Sequence, residues 1–88
     1  MYSQAVTIEN KTGLHARPAS LFVQAAAKFK SNITLEKGSK TGNAKSILSL
    51  LSLGVGQGSS LKITADGLDE VEAVKSLVEL IKTKFGEE

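Results

Sequence analysis

Thr12-Gly13-Leu14-His15-Ala16-Arg17-Pro18 joins a segment that alternates like a strand to one that repeats like a helix. It holds the single histidine and the single proline of the 88-residue chain. Gly13 gives the turn conformational freedom. Pro18 fits the first turn of a helix, where its missing N–H would bond nothing. The spacing therefore predicts a helix opening near Ala16, with His15 at or beside its N-cap. The first amides of such a helix have no carbonyl partners, and the positive end of its dipole points at the imidazole. That end would receive an anion carried on the ring. Arg17 adds a planar cation for phosphate oxygens. Read physically, the stretch is a histidine prepared to hold a phosphoryl group. The plain alternative is a solvated loop histidine, and neither Gly-x-His nor His-x-Arg alone separates the two.

Upstream, Tyr2, Val6 and Ile8 alternate with Ser3, Ala5 and Thr7, as in a strand with one buried face, and Glu9 to Leu14 form a polar loop. Downstream, Ala19, Phe22, Val23, Ala26 and Phe29 mark one face of an amphipathic helix over Ala16 to Phe29. Ser31-Asn32 breaks it, and Ile33-Thr34-Leu35 alternates as a second strand. Lys37-Gly38-Ser39 reads as a hairpin turn into a short polar strand over Lys40 to Gly42, suited to a sheet edge.

Ser46 is a candidate N-cap and Gly54 a candidate C′ residue for a short second helix. Ile47, Leu48, Leu50, Leu51 and Leu53 cover an arc of about 220° at 100° per residue, roughly twice what a surface helix needs. Two readings follow: one half stays exposed as a docking patch, or the helix is buried on both flanks. Val55 to Ser59 is a Gly-rich loop. Leu61, Ile63 and Ala65 form a fourth strand, and Asp66-Gly67 turns the chain. Asp69 with Glu72 resembles a capping box. Val71, Val74, Leu77, Val78, Ile81 and Phe85 then form a helical stripe that faces a core, with acids early and lysines late.

The order strand, helix, strand, strand, helix, strand, helix, with one wet face per strand, predicts an antiparallel sheet covered by helices on the other face. The length suits one small domain over residues 1–88. Without cysteine there is no disulfide framework, and one histidine leaves an ordinary zinc site short of ligands, so no metal or cofactor is expected. A net charge of +2, scattered basic residues and four aromatics make no footprint for direct nucleic-acid binding. No apolar run reaches a membrane span and no signal peptide is visible at Met1-Tyr2-Ser3-Gln4, so the expected location is the cytoplasm.

Two motifs and the element order together resemble the HPr family, the histidine-containing phosphocarriers of the bacterial phosphoenolpyruvate-dependent sugar phosphotransferase system. The first is Thr12-Gly13-Leu14-His15-Ala16-Arg17-Pro18-Ala19. The second is Asn43-Ala44-Lys45-Ser46-Ile47 followed by Ser52-Leu53-Gly54. The resemblance covers the whole chain. It implies an α+β open-faced β-sandwich, with four antiparallel strands and three helices on one face in the order βαββαβα.

It also implies a role. His15 would accept a phosphoryl group on Nδ1 from phosphorylated enzyme I and pass it to the IIA domains of sugar permeases. Arg17 and the backbone N–H of Ala16 would surround the phosphate. Ser46 matches the site of an ATP-dependent HPr kinase/phosphorylase, whose product partners the catabolite control protein. Family contacts fall on the positions of Ile47, Leu48 and Leu51, which selects the exposed half of the second helix. A regulatory branch of the family lacks the active-site histidine, and His15 places this chain apart from it. The resemblance implies a carrier rather than a stand-alone enzyme.

Overall fold

The computed structural model describes residues 1–86. Four strands, β1 (Tyr2–Thr7), β2 (Asn32–Lys37), β3 (Lys40–Asn43) and β4 (Ser60–Asp66), form one antiparallel sheet in the order β1-β4-β2-β3. Three helices, α1 (Ala16–Ala26), α2 (Ile47–Ser52) and α3 (Glu70–Lys82), are followed by a 3-10 turn at Lys84–Gly86. The architecture is the open-faced sandwich. Leu61, Ile63 and Ala65 of β4 and Ile33 and Leu35 of β2 point into the helical layer and are buried. α3 packs on β1 and β4, α1 lies against both other helices, and α2 packs on β3.

The opposite face of the sheet is polar. Ser3, Thr64, Thr34 and Asn43 pair in one row across all four strands, and the hydroxyls of Ser3 and Thr64 lie 2.9 Å apart. This alternation sets the register, because a slip of one residue would turn Leu61, Ile63 and Ala65 into water. β3 stands at the edge, as its polar sequence predicts.

Several boundaries and contacts differ from the sequence reading. α1 ends at Ala26, not Phe29, because Lys28 and Phe29 donate to carbonyls only three residues back, which tightens the chain out of the α-helix. The freed Phe29 carbonyl accepts from Lys45 Nζ at 2.7 Å. β2 and β3 extend through their turn to the Lys37–Lys40 pair, and β3 runs on to Asn43. In the stripe of α3, Val74, Leu77, Val78 and Ile81 are buried but Val71 is 43% exposed. It sits in the first turn, in a surface pocket with the exposed Leu68. Phe85 is buried from beyond the helix, brought back by a positive φ of 57°.

The capping box at Asp69 and Glu72 does not form. The Asp69 carboxylate instead accepts from Lys30 N at 2.8 Å, from Ser31 N at 3.0 Å and from the Ser31 hydroxyl. It ties the exit of α1 to the entry of α3. Gly67 N is taken by Glu70 Oε1 at 3.2 Å. The Ser31 hydroxyl and the two amides hold the Asp69 carboxyl below its usual range.

A group with a lowered folded pKa contributes stability above its unfolded pKa and loses it as pH falls through the folded value. Asp69→Asn should therefore lower the urea midpoint at pH 7. Its deficit against the unsubstituted chain should shrink as pH is taken from about 4 downward. A deficit constant with pH would rule out the carboxylate as its source.

Candidate functional site

His15 is the N-cap residue of α1, with extended backbone (φ −90°, ψ −165°) and an exposed ring. Its carbonyl accepts from Ala19 N at 2.8 Å, the first helical bond. Pro18 has no N–H, so the amides of Ala16 and Arg17 stand at the open end of the helix. The His15 side chain makes no cap bond, and the first turn carries no acid. Pro18 and Ala19 are buried and anchor this turn.

The loop before His15 is held from two sides. Leu14 is buried, and its amide donates to Val55 O at 3.0 Å. Gly13 has φ +62°, and a Cβ there would lie 2.5 Å from Val55 O and 2.6 Å from Gly56 Cα. The Gly-rich loop after α2 thus touches the histidine loop backbone to backbone. The same loop is fixed to the end of β1, where Gly58 N donates to Ile8 O at 2.7 Å and Ile8 N donates to Ser59 O at 2.8 Å.

A groove of about 470 Å³ results, lined by Thr12, Leu14, His15, Ala16, Leu51, Gly54, Val55 and Gly56. Its polar contributors include the imidazole, and none of its lining residues is acidic. His15, Ala16 and Leu51, singled out in the sequence, meet here. Arg17 is exposed on the first turn of α1 and does not line the groove. Among the described residues it makes no hydrogen bond or ion pair, so its guanidinium is uncommitted.

Ser46 is the N-cap of α2, and its hydroxyl accepts from Ser49 N at 3.3 Å. α2 shows the divided helix: Leu50 is fully buried and Leu53 nearly so, while Ile47 is 39%, Leu48 75% and Leu51 40% exposed. Leu51 belongs to the groove of His15, so the apolar patch runs into it. Ser46 lies five residues before Leu51, about 7.5 Å along the axis.

Val55 and Gly56 were not foreseen at the site, and Thr12 and Gly54 stood in the two motifs without a role of their own. The glycines of that loop were the available signal, since clustered glycine marks close backbone approach. Among the described residues no three His, Cys, Asp or Glu side chains gather as a metal site, and no helix is long and apolar enough to cross a membrane.

Residues 2–83 match the family described as the PTS HPr component phosphorylation site. The chain belongs to the HPr family. It is 48% identical over 82 residues to the HPr-like protein Crh of Halalkalibacterium halodurans, across 93% of this chain and 98% of that one. HPr-C-His from Thermoanaerobacter tengcongensis has 59% identity and a TM-score of 0.98, covering 100% of this chain and 99% of its own. HPr from Bacillus anthracis strain Ames has 45% identity and a TM-score of 0.88, with coverage of 91% and 95%. These likenesses extend over the sheet, the histidine loop and α2 alike, so the site described above belongs to an HPr-like phosphocarrier fold.

Replacing Gly13 adds a wrong φ and a backbone collision. Gly13→Ala should cost about 2–5 kcal/mol in urea unfolding. Gly38→Ala, with φ +60° and nothing within 4 Å of the added Cβ, should cost about 1–2 kcal/mol. Equal costs would mean that the approach of Val55 and Gly56 contributes nothing.

Proposed function

We propose that this chain is a phosphocarrier that takes a phosphoryl group on His15 from phosphorylated enzyme I and delivers it to IIA domains of sugar permeases in the cytoplasm. The observation that carries the reading is an exposed imidazole at the uncapped start of α1, in a groove without acidic lining. In loading, the Nδ1 lone pair attacks phosphorus while the bond to the donor breaks and its electron pair leaves with the donor. Delivery is the reverse, with His15 as the leaving group. Transfer of this kind asks mainly for alignment and neutralised charge. The Ala16 and Arg17 amides and the Arg17 guanidinium supply donors to the phosphoryl oxygens.

Ile47, Leu48 and Leu51 are the docking patch for these partners, and its continuity with the groove through Leu51 supports one docking event for both contact and transfer. Ser46 is the regulatory site, modified by an ATP-dependent HPr kinase/phosphorylase and then read by a catabolite control protein. Phosphate there adds about −1.5 to −2 charges beside the patch while leaving α2 favourably capped. A second reading, a purely regulatory module working through Ser46 and the patch, draws on the likeness to the HPr-like protein Crh. It would not need His15.

Phosphoenolpyruvate with catalytic enzyme I should add one acid-labile phosphate by intact mass, absent in His15→Ala. No gain on a folded protein, with the enzyme I active on another carrier, would leave the regulatory reading. Arg17→Ala should slow transfer and leave the unfolding midpoint in place; an unfolded variant would make Arg17 structural instead. Ser46→Asp should keep the fold and accept phosphate about tenfold more slowly or worse. Acceptance at the unsubstituted rate would sink the regulatory assignment.

A further inference from the structure

Among the described residues, Asn10 is the large polar side chain buried in the core beside the histidine loop, with 0% of its surface exposed. Its backbone carbonyl accepts from Gly13 N at 3.1 Å, and its side-chain Nδ2 donates to Gly13 O at 2.9 Å. Both polar backbone atoms of Gly13 are therefore held by one residue. The second Nδ2 proton reaches Thr12 Oγ1 at 3.2 Å, and Thr12 lines the groove of His15. A buried amide is costly unless it is bonded, and a small apolar residue would fill the same interior without that cost. What the amide adds is a fixed turn two residues before the imidazole.

His15 is set by two constraints. On its C-terminal side α1 holds it through Ala19 N and the burial of Pro18. On its N-terminal side the restraint is the 10–14 turn, pinned by Leu14 N on Val55 O and by Asn10 on Gly13. Without the second pin the turn keeps its place on the Gly-rich loop but loses the bond that fixes Gly13 O and Thr12. The His15 ring would then lose its fixed placement along the groove it lines.

We propose that Asn10 is a positioning residue for phosphoryl transfer: its buried amide clamps Gly13 and Thr12 and so aims the His15 imidazole at the groove. The proposal rests on the carrier reading above. It does not touch substrate and acts only through the loop.

The test has two parts. In steady-state transfer from phosphorylated enzyme I, Asn10→Ala should lower kcat about ten- to a hundredfold. The KM for the carrier should be unchanged, because Ile47, Leu48 and Leu51 are untouched. Val74→Ala, in the core of α3, is the control for lost stability and should keep the unsubstituted kcat. An Asn10→Ala protein with normal kcat, or a Val74→Ala protein that loses as much, overturns the proposal.

The second part uses the unsubstituted chain and needs no transfer. Through-hydrogen-bond scalar coupling should link Asn10 Nδ2 to the Gly13 carbonyl carbon in NMR, and its absence overturns the clamp even if Asn10→Ala fails to fold. If the unsubstituted chain takes no phosphate from enzyme I, the carrier reading falls and the aiming role falls with it, while the coupling still decides whether the clamp exists.

Discussion

The close approach of Gly13 to Val55 and Gly56 is the constraint on which the site depends. A Cβ would stand 2.5 Å from the Val55 carbonyl oxygen, so two loops distant in sequence meet as bare backbone. One loop ends β1 and starts α1; the other leaves α2 and starts β4. Their contact fixes where α1 begins relative to α2, and it brings His15 and Leu51 to one groove. The bond from Leu14 N to Val55 O adds direction to that contact. Burial of Leu14, Val55 and Leu53 beneath it keeps water from competing for the bond.

α2 shows how one short helix serves structure and surface together. Leu50 and Leu53 anchor it in the core, and Ser46 caps it. The opposite half, Ile47, Leu48 and Leu51, stays exposed among the described residues. Charge follows the same division. Seven of the nine acids lie at Asp66 or beyond, and no Asp or Glu lies between Lys37 and Ala65. The α1 and α2 surface is thus nearly free of acids, while α3 carries Glu70, Glu72 and Glu79. A surface that is to receive an anion gains from that segregation, since like charge near the groove would oppose both loading and approach.

The elements and their order were legible in the sequence because each carries its own period. β1 and β4 alternate, α1 and α3 repeat every three to four residues, and Ser46 and Gly54 bracket α2 as written. What was not legible is where long-range polar groups find partners. Asp69 has the spacing of a local cap, yet its carboxylate bonds to Lys30 and Ser31, which no local pattern discloses. Val71 has the spacing of the core stripe, but it faces a surface pocket beside the exposed Leu68. His15, Ala16 and Leu51, named from the residues and the family motif together, line one groove. Asn10 was read as ordinary loop polarity, because its burial exists only once Gly13 folds back over it.

The three helix starts differ in what already answers their open amides. α2 is capped by the Ser46 hydroxyl. α3 has Glu70 and Glu72 in its first turn, so side-chain carboxylates already answer the positive end of its dipole. α1 has neither a side-chain cap nor an acid in its first turn. Its N-cap position is filled instead by an imidazole, which cannot satisfy the amides as a serine or aspartate would. Substituting a capping residue there would stabilise the helix and close the site. The same uncapped start that costs α1 some stability leaves its first amides open, which is what the proposed carrier role asks of it. In the proposed role, an exposed ring in an open groove would hold phosphoryl oxygens without enclosing them, as a group destined for another protein requires.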